Sequence, residues 1–332
     1  MPQVTIFGIV AAFCGGVFGA IIGGLLSFIL MGMLVLIGIV TAITGGGSGF
    51  LANVAWGPMF GPHIGLLGGA IAAAYAYQRG YYPDGKQISK SLITLKRFDI
   101  LLVGGATGII GYLFVSALEA IPVLGDHLDA IAVAISLTMI VGRLAFGKRG
   151  LLGLRDISAA DRHSEQTAKR ELWRTQWHSK TSFWVPYQHS WLAVVSQGLV
   201  VGALAAVLTL LMVAIFPDAA AVVHETAFAL SAISLIGLLA TQYIPITHHL
   251  TLPAATAVSL FIIPATADFG NVQSVMSIIA GAIVGAVVGA IGGITCELFA
   301  RLWLMRGDTL IDPPTLTNAV LLTSLAIAAA PR

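Results

Sequence analysis

Charge is what this sequence has least of: only 10% of its 332 residues are Asp, Glu, Lys or Arg. A soluble domain carries about a quarter. With 57% hydrophobic residues and a mean hydropathy of +0.92, the shortage excludes a soluble fold and predicts a polytopic membrane protein. Cysteine is nearly absent. Cys14 and Cys296 each fall inside a predicted helix, which excludes a disulfide scaffold and reads as packing. The start, Met1-Pro2-Gln3-Val4-Thr5, lacks a basic n-region, so the first helix is expected to be retained. Reactive motifs are missing too. There is no Gly-x-Ser-x-Gly elbow, no His-Glu-x-x-His helix and no Gly-Lys-Ser/Thr phosphate loop. A Ser48/His63 nucleophile pair has no supporting context. Asp126-His127-x-Asp129 offers one His and two acids in a loop, too thin a set for a metal centre. The expectation is therefore no enzyme, no cofactor and no metal. A net charge of +2 gives no footprint for nucleic acid.

What is present is long apolar segments. A span needs roughly 20 apolar residues, and the chain has room for about ten. Hydrophobic runs punctuated by Gly, Pro and charge place helices at about 4–30, 31–50, 63–78, 98–121 and 129–147. Five more follow at about 191–216, 225–245, 250–266, 273–303 and 315–330. Basic residues sort these spans. Arg79, Lys86, Lys90, Lys96 and Arg97 share one loop; Arg143 and the eight Lys and Arg of 148–190 share another; Arg301 and Arg306 follow the ninth helix. Together they are 16 of the 17 basic residues, and ten alternating spans place them all on one side. Basic loops stay cytoplasmic during insertion. That predicts a bacterial-type inner-membrane (plasma-membrane) protein with both termini outside, whose outer loops carry Glu119, Asp126, Asp129, Asp218, Glu225 and Asp268.

A faint duplication runs through the chain. Gly15 and Gly19 match Gly198 and Gly202; His63, Leu67, Ala70 and Ala72 match His248, Leu252, Ala255 and Ala257; Gly111 and Glu119 match Gly289 and Glu297; Asp129 matches Asp312. The expected organisation is a first five-helix repeat at 1–147, a cytoplasmic linker at 148–190 and a second repeat at 191–332. In the linker, Ser158 and Asp161 predict a surface helix over 161–177 with Trp173 and Trp177 near the headgroups. Five spans is an odd number, so the second repeat is inverted, a plan typical of transporters with a site where the repeats meet. In layout the chain is similar to bacterial urea transporters. None of that family's motifs is found, so the likeness carries over no residues.

The candidate site follows from broken chain. Gly45-Gly46-Gly47-Ser48-Gly49, then Gly57-Pro58 and Gly61-Pro62-His63, cannot continue as helix before the third span. Thr241 to Pro253, with Pro245 and Pro253, sits at the matching place before the eighth. Such re-entrant or broken segments persist at membrane depth only when buried in protein or lining a wet cavity. A half-helix starting near His63 or His248 aims its N–H groups into that cavity. Asn53, Trp56 and His63 from one half, with Thr247, His248 and His249 from the other, are the predicted solute contacts. Glu119 and Glu297 are the predicted coupling carboxylates, because an acid at membrane depth pairs, protonates or lines a pathway. The competing reading for Glu297 is a pair with Arg301 one turn on. Asp129 and Asp312 read as N-caps, the latter ahead of Pro313-Pro314.

These features predict a permease for a small polar or anionic solute. The alternatives are a passive channel of the same plan, and an accessory membrane subunit or intramembrane enzyme. Expected partners are the solute and the bilayer, and the Trp, Tyr and Gly surfaces suit a homo-oligomer.

Overall fold

A computed structural model describes residues 4–153, 185, 188–240, 243–267 and 271–330. The helix predicted over 161–177 lies outside them. Ten helices of nine residues or more run through the described residues. In the first half they are α1 (Ile6–Ile22), α2 (Gly24–Thr41), α3 (Gly65–Gln78), α4 (Phe98–Glu119) and α5 (Ala130–Phe146). The second half contributes α6 (Trp191–Ile215), α7 (Thr226–Ser234), α8 (His248–Ala257), α9 (Val275–Phe299) and α10 (Pro313–Ala329). No strand occurs among the described residues. Among the described residues, four segments are long and apolar enough to cross a bilayer: Gly24–Gly46, Phe98–Glu119, Trp191–Ile215 and Val275–Leu304. Pro217–Val223 with Thr226–Leu239, bent by 45°, makes a fifth if the bent pair is one span. Large apolar side chains such as Phe7, Leu204 and Ile283 stand exposed along outer helix faces, as expected where lipid is the solvent. The chain is an all-helical membrane protein.

Several predicted boundaries move; the second helix, for one, runs Gly24–Thr41 rather than 31–50. The first helix ends at Ile22 rather than near residue 30, because Gly23 takes φ +93°, a conformation glycine adopts without penalty. The segment 88–91 caps this break. Leu25 N–H donates to the Ile88 carbonyl at 3.0 Å, and the Ser91 hydroxyl donates to the Ile21 carbonyl. Hydropathy is continuous across Gly23, so composition alone hides it. The seventh helix is also shorter than 225–245. It ends at Ser234, followed by a separate turn at Ile236–Leu239.

Caps fix several starts. Asp129 accepts from Ala132 N–H at 2.9 Å, and Asp312 from Thr315 N–H at 3.0 Å. Because Asp312 is buried, Asp312→Ala should cost about 1 kcal/mol or slightly more, seen as a lower thermal midpoint in detergent. An unchanged midpoint would mean the cap contributes nothing.

The two halves use the same packing pairs. In the first, α1 lies on α4 and α3, α3 on α4 and α5, and α2 on α3. In the second, α6 lies on α9 and α8, α8 on α9 and α10, and α7 on α8. The halves join through α2 against α7 and α5 against α10. Glycine makes the tightest pairs possible: Gly16 meets the Gly104 carbonyl and Gly108, while Gly202 meets the Gly285 carbonyl and Gly289. Small residues of this kind let helix backbones touch.

Three basic segments predicted to share a side converge at one end. Lys86 Nζ donates to the Leu304 carbonyl at 3.5 Å, and burial holds this ammonium below its ordinary range. Arg143 Nη1 donates to the Trp303 carbonyl at 2.6 Å. The Lys148 backbone N–H donates to Asp308 Oδ2 at 2.6 Å.

Candidate functional site

Both predicted breaks in the helices are present. After α2 the chain passes through a π-helical turn at Ala42–Gly46, where Gly45 has φ +87°. A second π turn, Leu51–Ala55, and a run of turns lead to α3. On the other side, residues 243–247 are non-helical, and α8 begins at His248 with Thr247 at its N-cap position.

Where these breaks approach each other a cavity of about 450 Å³ opens, within the usual range for small-molecule sites of roughly 300–1,000 Å³. Its wall combines both halves. Phe28 comes from α2, Trp56 and Pro62 from the first break, and Ile131 and Ile135 from α5. Opposite stand His224 and Glu225, Phe228 of α7, His248 and Leu252 of α8, and Thr315 and Asn318 of α10. Near one mouth lies Asp126, which is exposed.

Four rings of the wall are in contact across the two halves. The Phe28 and Phe228 centroids are 6.0 Å apart, edge to face. Trp56 lies 5.3 Å from Phe228. His248 lies 4.9 Å from Phe28 and 6.2 Å from Phe228. The Trp56 indole N–H donates to Glu225 Oε2 at 2.7 Å, which ties the first break to the start of α7. Besides His224 Nδ1, two polar atoms of wall residues have no protein partner: His248 Nδ1 and Asn318 Oδ1. Both residues are buried, at 5% and 7% exposure. A buried polar atom without a partner is costly, about 1–3 kcal/mol, and such atoms concentrate where something else is bound.

Of the six predicted solute contacts, Trp56 and His248 line this cavity. His63 is buried beside it, its ring against Gly61 and its carbonyl against Gly111. His249 faces a smaller pocket of about 70 Å³ shared with Glu297. Thr247 hydrogen-bonds Ser231 at 2.6 Å. Asn53 is exposed and donates to the Gly49 carbonyl. Glu297 accepts from Arg301 Nε at 2.6 Å, both side chains being buried. Glu119 ends α4 and is not among the cavity residues. Sequence reasoning missed Phe28, Phe228 and Asn318, which look like ordinary helix residues. In the sequence Glu225 reads only as an outer-loop acid, and Trp56 is 169 residues away from it. Among the described residues, no three His, Cys, Asp or Glu side chains group as metal ligands.

The chain belongs to a family of unknown function, DUF7973, whose profile matches residues 1–331. No curated protein and no solved structure matches it.

Proposed function

We propose that this protein is a permease for a small polar solute, which binds in the cavity between the two halves. One observation carries the reading. The halves meet around a cavity walled by His248 and Asn318, whose buried Nδ1 and Oδ1 atoms lack a protein partner. An anionic solute fits less well, because Asp126, Asp129 and Glu225 line the cavity and no Lys or Arg does.

The wider plan is ten spans in two inverted repeats of five. Support comes from the matching helix pairs in each half and from the contacts of α2 with α7 and α5 with α10, each helix against its counterpart. Gly111 against the His63 carbonyl and Gly292 against the His249 carbonyl are a matching pair of contacts. They align His63 with His249, one residue from the sequence match to His248. The shorter helices α1, α3, α5, α8 and α10 complete the ten, with breaks that shorten α3 and α8 at the site. The convergent basic end is assigned to the cytoplasm, which places both termini outside, in a bacterial-type plasma membrane. Rocking of one half against the other around a fixed site then opens the cavity to each side in turn.

The test is thermal unfolding of the detergent-purified protein against a panel of small polar solutes. A ligand bound only by the folded state adds about 2.7 kcal/mol at 100 times its Kd. Stabilisation by one solute should disappear in His248→Ala and in Asn318→Leu. It should persist in His63→Ala, whose ring is outside the wall. A panel without any effect, or an effect lost equally in all three variants, would overturn the reading.

A further inference from the structure

We propose that the solute taken by this cavity is a small organic cation of the protonated alkylamine class. The inference rests on the reading of the cavity as the solute site. It goes beyond that reading by assigning the charge and the donor pattern of the ligand.

Three features agree. The first is charge. The titratable groups on the wall are Asp126, Asp129 and Glu225 with His127, His224 and His248, and no Lys or Arg is among them. Asp129 is partly engaged in capping α5. Glu225 accepts the Trp56 indole N–H, and no Lys or Arg on the wall pairs with its carboxyl group. Asp126, exposed near the mouth, extends the same sign outward. A cleft of one sign raises the local concentration of oppositely charged solute.

The second feature is the aromatic wall. Phe28, Trp56 and Phe228 lie within 5.3–6.0 Å of one another along a chain of ring contacts. Ring faces attract cations within about 6 Å of the centroid, Trp most strongly. They also supply the apolar surface that an alkyl group needs. A hydrated inorganic cation gains little from such a wall, whereas an alkylammonium uses both its charge and its carbon.

The third is donor pattern. Asn318 Oδ1 is an acceptor without a protein partner, and Glu225 is acceptor-only when ionised. A ligand with several N–H donors satisfies both of these acceptors. A protonated amine supplies three from one atom, and a carboxylate or phosphate supplies none.

Methylammonium, urea and formate serve as the cationic, neutral and anionic probes. Binding is read from the thermal midpoint of the purified full chain at fixed pH and ionic strength. Methylammonium should raise the midpoint in a saturable way, and urea and formate at equal concentration should not. Glu225→Gln keeps the shape and an acceptor for Trp56 but removes the charge, so the apparent Kd should rise at least tenfold. Should that variant misfold, Phe228→Leu provides the second test, and methylammonium must again weaken. If urea or formate protects the parent and methylammonium does not, the cation assignment is wrong while the cavity stands as a solute site. The assignment is equally wrong if methylammonium protects the parent and both variants to the same extent. If none of the three probes protects, the cation assignment falls, and a wider solute panel that is also silent removes the site with it.

Discussion

Adding one methyl group at Gly202 should lower the thermal midpoint by roughly 3–4 °C. The α6–α9 pair is held at backbone contact. A Cβ at Gly202 would lie 2.9 Å from the Gly285 carbonyl carbon and the Gly289 Cα, and closer still to the Gly285 oxygen. Neither obstacle is a flexible side chain, so the helices must separate. Two effects compete. Alanine favours the helical backbone over glycine by about 1 kcal/mol, while overpacking a tight contact costs about 1–3 kcal/mol and sometimes more. Here the clash is with main chain, so the upper end of that cost applies and Gly202→Ala is destabilising. Gly19→Ala should behave likewise, since its Cβ would be 2.8 Å from the Gly65 Cα and nearer to the Gly65 carbonyl oxygen. Gly49→Ala is the control. It is exposed with nothing within 4 Å and should leave the midpoint unchanged. Equal midpoints for all three variants would show that the glycine contacts do not set the helix spacing.

Arg143→Met should be of comparable size, about 3 kcal/mol or more. Arg143 is fully buried at the end of α5. Its guanidinium donates to the Trp303 carbonyl at 2.6 Å, the Leu151 carbonyl at 3.2 Å and the Thr309 hydroxyl at 3.2 Å, and also to the Thr309 carbonyl. One side chain thus ties the first half to the α9–α10 connection. Removing it strands several buried acceptors at once, each worth about 1–3 kcal/mol when left unsatisfied. Arg143→Lys should recover less than half of the loss, because an ammonium is a point donor that cannot reproduce the planar fork. Thermal unfolding followed by tryptophan fluorescence, with size-exclusion profiles, reads the effect. A methionine variant as stable as the parent would mean that water satisfies those carbonyls.

Much of the helical framework could be read from the sequence, and the residues say why. Helix starts at Asp129 and Asp312 are local events: a short polar side chain reaches an N–H three residues on. The breaks before α3 and α8 follow from Gly45 to Gly49 and from the Pro-bearing stretch up to His248. The shared end of the basic segments follows from where Lys and Arg are tolerated. The break at Gly23 was hidden because the flanking chain is apolar on both sides, and the 88–91 segment that caps it is distant in sequence. The cavity wall was hidden more deeply. Phe28 and Phe228 are two among many apolar residues until α2 packs on α7. Glu225 is a loop acid until Trp56 reaches it.

The sequence by itself determined that this is an all-helical membrane protein, where its chain breaks, and which connections carry its positive charge. Those properties depend on transfer of single side chains between water and hydrocarbon and on backbone preferences within a few residues. Only the tertiary structure decided which broken segment faces which. It also decided that His248 rather than His63 reaches the cavity, that Glu225 lines it, and that Arg143 fastens the halves together. These depend on contacts between residues more than 100 positions apart, such as Arg143 with Thr309 and Trp56 with Glu225. Their energy arises from mutual burial and appears only after the helices have packed.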